Sequence, residues 1–196
     1  MKHTVFLSIL LLAGTGGAFG DSIFISPASE NVTTGQSFTV DVNIDNIPDV
    51  FDYQFSLTFN PAVLAAQSVT EGALFANTGD SFFSPGTIDN STGAVTLTFD
   101  TLLTSVVGVA GPGTLAVVDF KAIGLGTSSI DFSPLGDLIL EDSNENTLDV
   151  TPIAGSVNVV PAPEPATLVL VGSTLLLVAF GVWRRSKDKR SVDVKL

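Results

Sequence analysis

Phe51-Asp52-Tyr53-Gln54-Phe55-Ser56-Leu57-Thr58-Phe59-Asn60-Pro61 alternates apolar and polar residues from its first position to Phe59 and then stops on Asn-Pro. Side chains of a β-strand point alternately to its two faces. Period two therefore puts Phe51, Tyr53, Phe55, Leu57 and Phe59 on one face and Asp52, Gln54, Ser56 and Thr58 on the other. Proline cannot donate to a sheet ladder, so Asn60-Pro61 turns the chain. A strand with one greasy and one wet face needs a second layer to cover it.

The same pattern recurs outward from this stretch. Phe38, Val40, Val42 and Ile44 alternate with Thr39, Asp41, Asn43 and Asp45. Val95, Leu97 and Phe99 alternate with Thr96, Thr98 and Asp100. Ala116, Val118, Phe120 and Ala122 do so with Asp119 and Lys121 facing the other way. Shorter strands fit residues 23–25, 63–70, 129–132, 138–140, 148–150 and 157–159, and Leu74 to Ala76 fits a single turn of helix. Turn residues separate them: Thr34-Gly35, Gly79-Asp80, Asn90-Ser91-Thr92-Gly93, Gly111-Pro112-Gly113 and Ser143 to Asn146. No internal repeat is visible. Many short one-faced strands predict an all-β, two-sheet sandwich over residues 21–160.

Charge and composition narrow the chemistry of that unit. Lys121 is its one basic residue against 17 acidic ones, a formal charge of 1 − 17 = −16. Such a surface repels phosphate backbones and excludes nucleic acid as a ligand. The chain has no cysteine and its one histidine is His3. Thiol nucleophiles, Ser-His-Asp machinery and histidine metal ligands are thereby excluded, and no cofactor is implied. Glu30, Glu71, Glu141 and Glu145 are the only glutamates of that unit, too few and scattered for a glycosidase pair. Asp142, Asn144 and Asn146 alternate as in a calcium loop, but Thr147 stands where the loop glycine belongs and Ile153 where the closing glutamate does. These three make a weak calcium candidate, and a hairpin tip is the plainer reading. The glycine-rich stretches lack the Lys-Ser/Thr ending of a phosphate loop. Trp is absent from the unit and Tyr53 faces inward. Phe82-Phe83 is thus the one candidate for aromatic exposure, with one ring turned to the core.

Two ends carry addresses. Lys2 and His3, the apolar run 5–13 and the small residues Ala18 and Gly20 read as a secretory signal peptide over 1–20, with the cut before Asp21. Residues 161–196 open on Pro161-Ala162-Pro163-Glu164-Pro165 and continue through an uncharged apolar span, 166–183. They close on Arg184, Arg185, Lys187, Lys189 and Arg190. A span of this length just crosses a thin bilayer as a helix, and the basic stop keeps its own side cytoplasmic. Residues 21–160 are expected beyond the membrane, facing the periplasm.

Val160, Pro163-Glu164-Pro165-Ala166-Thr167, the Leu/Val-rich span and the Arg-led cluster resemble the PEP-CTERM sorting signal of Gram-negative bacteria. That resemblance implies recognition by an exosortase, a cut near Pro163-Glu164-Pro165, and delivery to the cell surface or extracellular matrix. An ordinary single-pass anchor is the alternative.

The sandwich itself resembles the cohesin domain, a jelly roll of about nine strands. The similarity is carried by Gly35 with 38–44, by Phe51 to Pro61 followed by Val63-Leu64, and by Val69 with Gly72. Gly111 to Ala116 leading into Asp119-Phe120-Lys121-Ala122, Gly126 before Ser129-Ile130, and Gly155 to Val159 complete it. It implies a non-catalytic module that binds a dockerin-like protein through a flat sheet face containing the third strand. On that face it places Asp52, Gln54, Ser56 and Thr58, with Thr96 and Thr98 beside them. The expectation is an exported binding module for a protein or an extracellular polysaccharide. A carbohydrate-binding module and a structural matrix or biofilm protein without a specific ligand are the alternatives.

Overall fold

The computed structural model describes residues 20–133, 137–162, 173–180 and 183. The chain divides into two compact units, Met1–Val160 and Pro161–Leu196. In the first, β1 (Ser22–Ser26), β3 (Ser37–Ile44), β5 (Leu64–Glu71), β9 (Gly113–Ala122) and β12 (Thr151–Ile153) form a five-stranded sheet in the order β12-β1-β3-β9-β5. The second sheet runs β2-β13-β10-β4-β8-β6. Its strands are β2 (Ser29–Thr33), β4 (Asp52–Phe59), β6 (Ser81–Ser84), β8 (Ala94–Leu102), β10 (Gly126–Phe132) and β13 (Gly155–Val160). Two short strands flank this path, β7 (Thr87–Asp89) on β8 and β11 (Ile139–Glu141) on β4. One helical turn, α1 (Ala73–Ala76), follows β5.

The alternation read from the sequence is what closes the sandwich. Val40, Val42 and Ile44 of β3 and Val118, Phe120 and Ala122 of β9 are buried, and face Tyr53, Phe55 and Leu57 of β4. Phe120 packs edge-on against Phe59 at 5.2 Å and stacks on Phe38 at 5.9 Å, so rings from both sheets fill one layer. Tyr53 meets Phe75 of α1 edge-on at 5.1 Å, and its hydroxyl donates to the Leu115 carbonyl at 2.6 Å. That bond satisfies a phenol which would otherwise be buried without a partner. Every core residue lies between Ile23 and Val159, so the unit holds all it needs to fold by itself.

Among the described residues there are thirteen strands where about nine were expected, and the stretch read as the third strand is the fourth. The additions are β2, β6, β7 and β12, short pieces with little or no apolar face of their own: β12 is exposed throughout and β2 buries only Val32. Two of them, β2 and β12, arise where the chain steps between sheets next to an existing edge. After β1 it crosses at Pro27 to become β2, and after β12 it crosses at Ala154 to become β13. β12 pairs in parallel with β1, and β13 in parallel with β2. Residues 148–150, expected as a strand, form none: the Leu148 amide donates to the Leu140 carbonyl at 2.8 Å, and pairing resumes only at Thr151.

In the second unit, residues 173–180 are helical and exposed. Among the described residues no helix is long and apolar enough to cross a membrane. Residues 1–19 of the expected signal peptide, the motif Pro163-Glu164-Pro165, most of the 166–183 span and the cluster Arg184, Arg185, Lys187, Lys189 and Arg190 lie outside the described residues.

Candidate docking face

The outward side of the second sheet is built by β11, β4, β8 and β6 in that order. Register fixes which side chains share it. Asp52 lies between Glu141 of β11 and Thr101 of β8, and Gln54 between Ile139 and Phe99. Phe82 of β6 stands opposite Thr101, and Ser84 opposite Phe99. Phe82 is 56 % exposed and its ring lies 6.0 Å from that of Phe99. Phe83, one residue on, turns inward against the core, so the pair divides as its spacing predicts. Asp52, Gln54, Phe99, Thr101, Ile139 and Glu141 line an open depression of about 370 Å³.

Two of the six residues expected on this face are not on it. Ser56 is 2 % exposed and Thr98 fully buried. The cause is a bulge: the β4–β8 register shifts between Phe55 and Leu57, and Leu97 sits at φ 56°, the left-handed region. One extra residue in β8 reverses every side chain beyond it. Val95 points in as expected, but Leu97 emerges at 52 % exposure, Phe99 follows outward, and Thr98 and Asp100 go inside. The Ser56 hydroxyl is used up within the bulge, accepting the Leu97 amide at 2.9 Å, while the Thr98 hydroxyl donates to the Pro85 carbonyl at 3.1 Å. Gly86 completes the device. Its φ is +72° and a Cβ there would strike the Thr96 carbonyl oxygen, so only glycine lets the 85–86 turn lie on the bulge.

Asp52, Gln54, Thr58 and Thr96 do stand on the outward side, each half-buried. Thr58 lies beside Asp131 of β10 and Thr96 beside Thr87 of β7. The residues missed are Leu97, Phe99, Thr101, Ile139 and Glu141. One signal was available for two of them. Val95 and Leu102 are both large and apolar but an odd number of positions apart, so both can face the core only if one residue between them is extra.

The electrostatics are one-sided. Burial, and then the neighbouring Glu141 carboxylate, push the Asp52 carboxyl above its ordinary range. Two like charges paired across strands repel, and no basic residue of the unit other than Lys121 exists to relieve them. Apolar rings and Leu97 at the centre with unneutralised acid beside them make a surface suited to a partner that brings both greasy and cationic groups. No nucleophile–base pair stands on it, and among the described residues no group of three acidic side chains could hold a metal ion. Asp142, Asn144 and Asn146 cap a hairpin turn instead. The Asp142 carboxylate accepts the Asn144 and Asn146 amides at 2.8 and 2.9 Å and the Asn146 side-chain amide at 2.9 Å, bonds that lower its pKa.

A two-sheet sandwich offering a flat, non-catalytic sheet face describes a class of docking modules. The cohesin domain model matches residues 23–159, and the chain belongs to that family. Cohesin domains are non-catalytic binding modules, and this chain is not an enzyme. It is 26 % identical over 144 residues to cellulose-binding protein A of Clostridium cellulovorans; the match takes in 73 % of this chain and 8 % of that protein's length. In structure it is similar to a non-cellulosomal cohesin from the archaeon Archaeoglobus fulgidus, with a TM-score of 0.58 at 20 % identity, over 71 % of this chain and 91 % of that one. It is also similar to the sixth cohesin of scaffoldin B from Acetivibrio cellulolyticus, which was solved in complex with a Cel5 dockerin. There the TM-score is 0.57 at 19 % identity, over 72 % of this chain and all of that one. These likenesses support the fold.

Proposed function

We propose that residues 21–160 form an exported docking module that receives a dockerin-like protein on the outward face of β11, β4, β8 and β6. The observation that carries this reading is the grouping of Phe82, Phe99 and Ile139 beside Asp52 and Glu141, with Leu97 exposed two residues before Phe99 on the same strand. A solvated sheet face has no reason to expose two rings and a strained leucine, whereas interfaces centre on such groups. The dockerin held by the scaffoldin B cohesin is the model for the partner's class.

Export, membrane tethering through 166–183, exosortase processing near Pro163-Glu164-Pro165 and display at the cell surface or in the extracellular matrix complete the proposal. They rest on the two sequence ends. The mass of the mature chain tests them, with loss of 1–20 and an end near Pro165 expected.

Docking is tested with the 21–160 unit and dockerin domains encoded beside it, by calorimetry. The expected result is saturable binding that weakens about 30-fold, some 2 kcal/mol, in Phe82→Ala/Phe99→Ala. Association that fades steeply with salt and ignores the double variant would instead indicate charge-driven matrix binding by the −16 surface. Retention on a polysaccharide gel, lost with Phe82, would indicate a carbohydrate-binding module.

A further inference from the structure

The bulge that turns Phe99 outward also drives Asp100 inward. Asp100 is fully buried, and neither of its carboxyl oxygens meets a hydrogen-bond donor. The group it faces is another carboxyl, that of Glu71, which ends β5 in the opposite sheet. Two carboxylates have only lone pairs to offer each other, so they bond only when one of them carries a proton. Glu71 is held in turn by Ser81, the first residue of β6, whose hydroxyl donates to it at 2.5 Å. The three side chains therefore run from β8 across the sandwich to β5 and back to β6, directly behind Phe82 and Phe99.

We propose that Asp100 and Glu71 share one proton, and that this proton clamps β5 to β8 and β6 behind the docking face. Deprotonation sets two negative charges against each other, one fully buried and one partly so, and opens that corner of the sandwich.

The surroundings offer no other remedy. From β4 the facing titratable group is Tyr53, whose hydroxyl already donates to the Leu115 carbonyl and whose own pKa is raised by burial, then by Asp100 and Glu71. From β6 the residue opposite Asp100 is Phe83, and from α1 the packing group is Phe75 against Tyr53; neither titrates. Along β8, Thr98 is neutral. The one cation of the unit, Lys121, is exposed on β9 opposite Ser37 and Ala65. Burial, then the nearby Glu71 carboxyl, push the Asp100 carboxyl up to about 7.

The sign follows from linkage. An acid whose folded pKa stands above its unfolded one holds a proton in the fold that the unfolded chain has released. The stabilisation is complete below the ordinary aspartate range, falls as pH rises toward about 7, and is gone above it.

The test needs no docking partner, so its failure and a failure of the docking proposal are separable. The 21–160 unit is melted between about pH 5 and about pH 9, where the clamp predicts a Tm lower by roughly 5 °C or more at the alkaline end. In Asp100→Asn the dependence flattens, and at about pH 8 its Tm equals or exceeds that of the unsubstituted unit. Glu71→Gln does the same and serves if the first variant fails to fold. Carboxyl-carbon NMR of the unsubstituted unit gives the direct reading, one aspartate resonance titrating near neutrality and missing in Asp100→Asn. Protection factors of the Phe82 and Ser84 amides, the intrinsic pH dependence of exchange divided out, should fall above that pH. A flat Tm profile, or all aspartates titrating below about pH 5, overturns the proposal. So does a pH dependence abolished by millimolar calcium with a raised alkaline Tm, which would make the pair a cation site.

Discussion

Strands β9 and β8 start from the same kind of sequence and end in opposite arrangements. In β9, from Ala116 on, Ala116, Val118, Phe120 and Ala122 go inside and Asp119 and Lys121 stay outside, as period two requires. Its own bulge, at Leu115, lies at the start of the strand and buries Leu115 and Ala116 side by side. In β8 the pattern holds only to Val95; beyond the bulge a leucine and a phenylalanine turn outward while a threonine and an aspartate are buried. Both strands are central in their sheets, so position does not separate them. What separates them is where the extra residue falls: in β8 the bulge, held in place by Ser56 and Gly86, turns Leu97 and Phe99 outward, onto the face proposed for docking.

The regular strand should be the more costly to damage. Phe120→Ala removes the ring shared by both sheets and is expected to cost about 3–5 kcal/mol in urea unfolding. Phe82→Ala, on the irregular side, should stay within about 0.5 kcal/mol of the unsubstituted unit, since that ring is mostly in water. Equal losses would erase the contrast, because the outward cluster would then be holding the fold together.

Ser56→Ala probes the clasp of the bulge. It takes the acceptor from the Leu97 amide at a part-buried position, and a loss of about 1–2 kcal/mol is expected. Loss of the resonance shifts that mark the outward Leu97 and Phe99 should accompany it. An unchanged midpoint and an unchanged spectrum would mean that Gly86 and Thr98 hold the bulge alone.

This contrast also sets how far the sequence could be read. The sandwich was legible because Phe38 to Ile44, Phe51 to Phe59 and Ala116 to Ala122 each bury one face, and burial is what an apolar side chain reports. Strands such as Ser29–Thr33 and Thr151–Ile153 were not, since they form by pairing beside a neighbour that changes sheets and carry almost no apolar signal. Four of the six residues expected on the candidate face stand there: Asp52, Gln54 and Thr58 needed only the parity of β4, and Thr96 precedes the bulge. Leu97 and Phe99 were assigned to the core because a bulge is a backbone event, written in Ser56 and Gly86 rather than in the residues it moves. Glu71 and Asp100 lie far apart in sequence and meet only through packing of the two sheets.

The finest separation of fold from function comes from Leu97. A non-glycine residue at φ 56° carries a strain of about 1–2 kcal/mol, and half of its side chain is in solvent, where little burial compensates. Leu97→Gly removes the strain and adds the greater unfolded freedom of glycine, about 0.5–1 kcal/mol in the other direction. The net expectation is a unit more stable by up to about 1 kcal/mol, with an unchanged slope in urea. Affinity for the dockerin-like partner should move the other way, falling about tenfold, because the leucine is held outward for the partner to cover. Opposed changes would show that the strain is maintained for binding. A destabilised variant would show instead that Leu97 packs for the fold, and unchanged affinity would move the docking face away from β8.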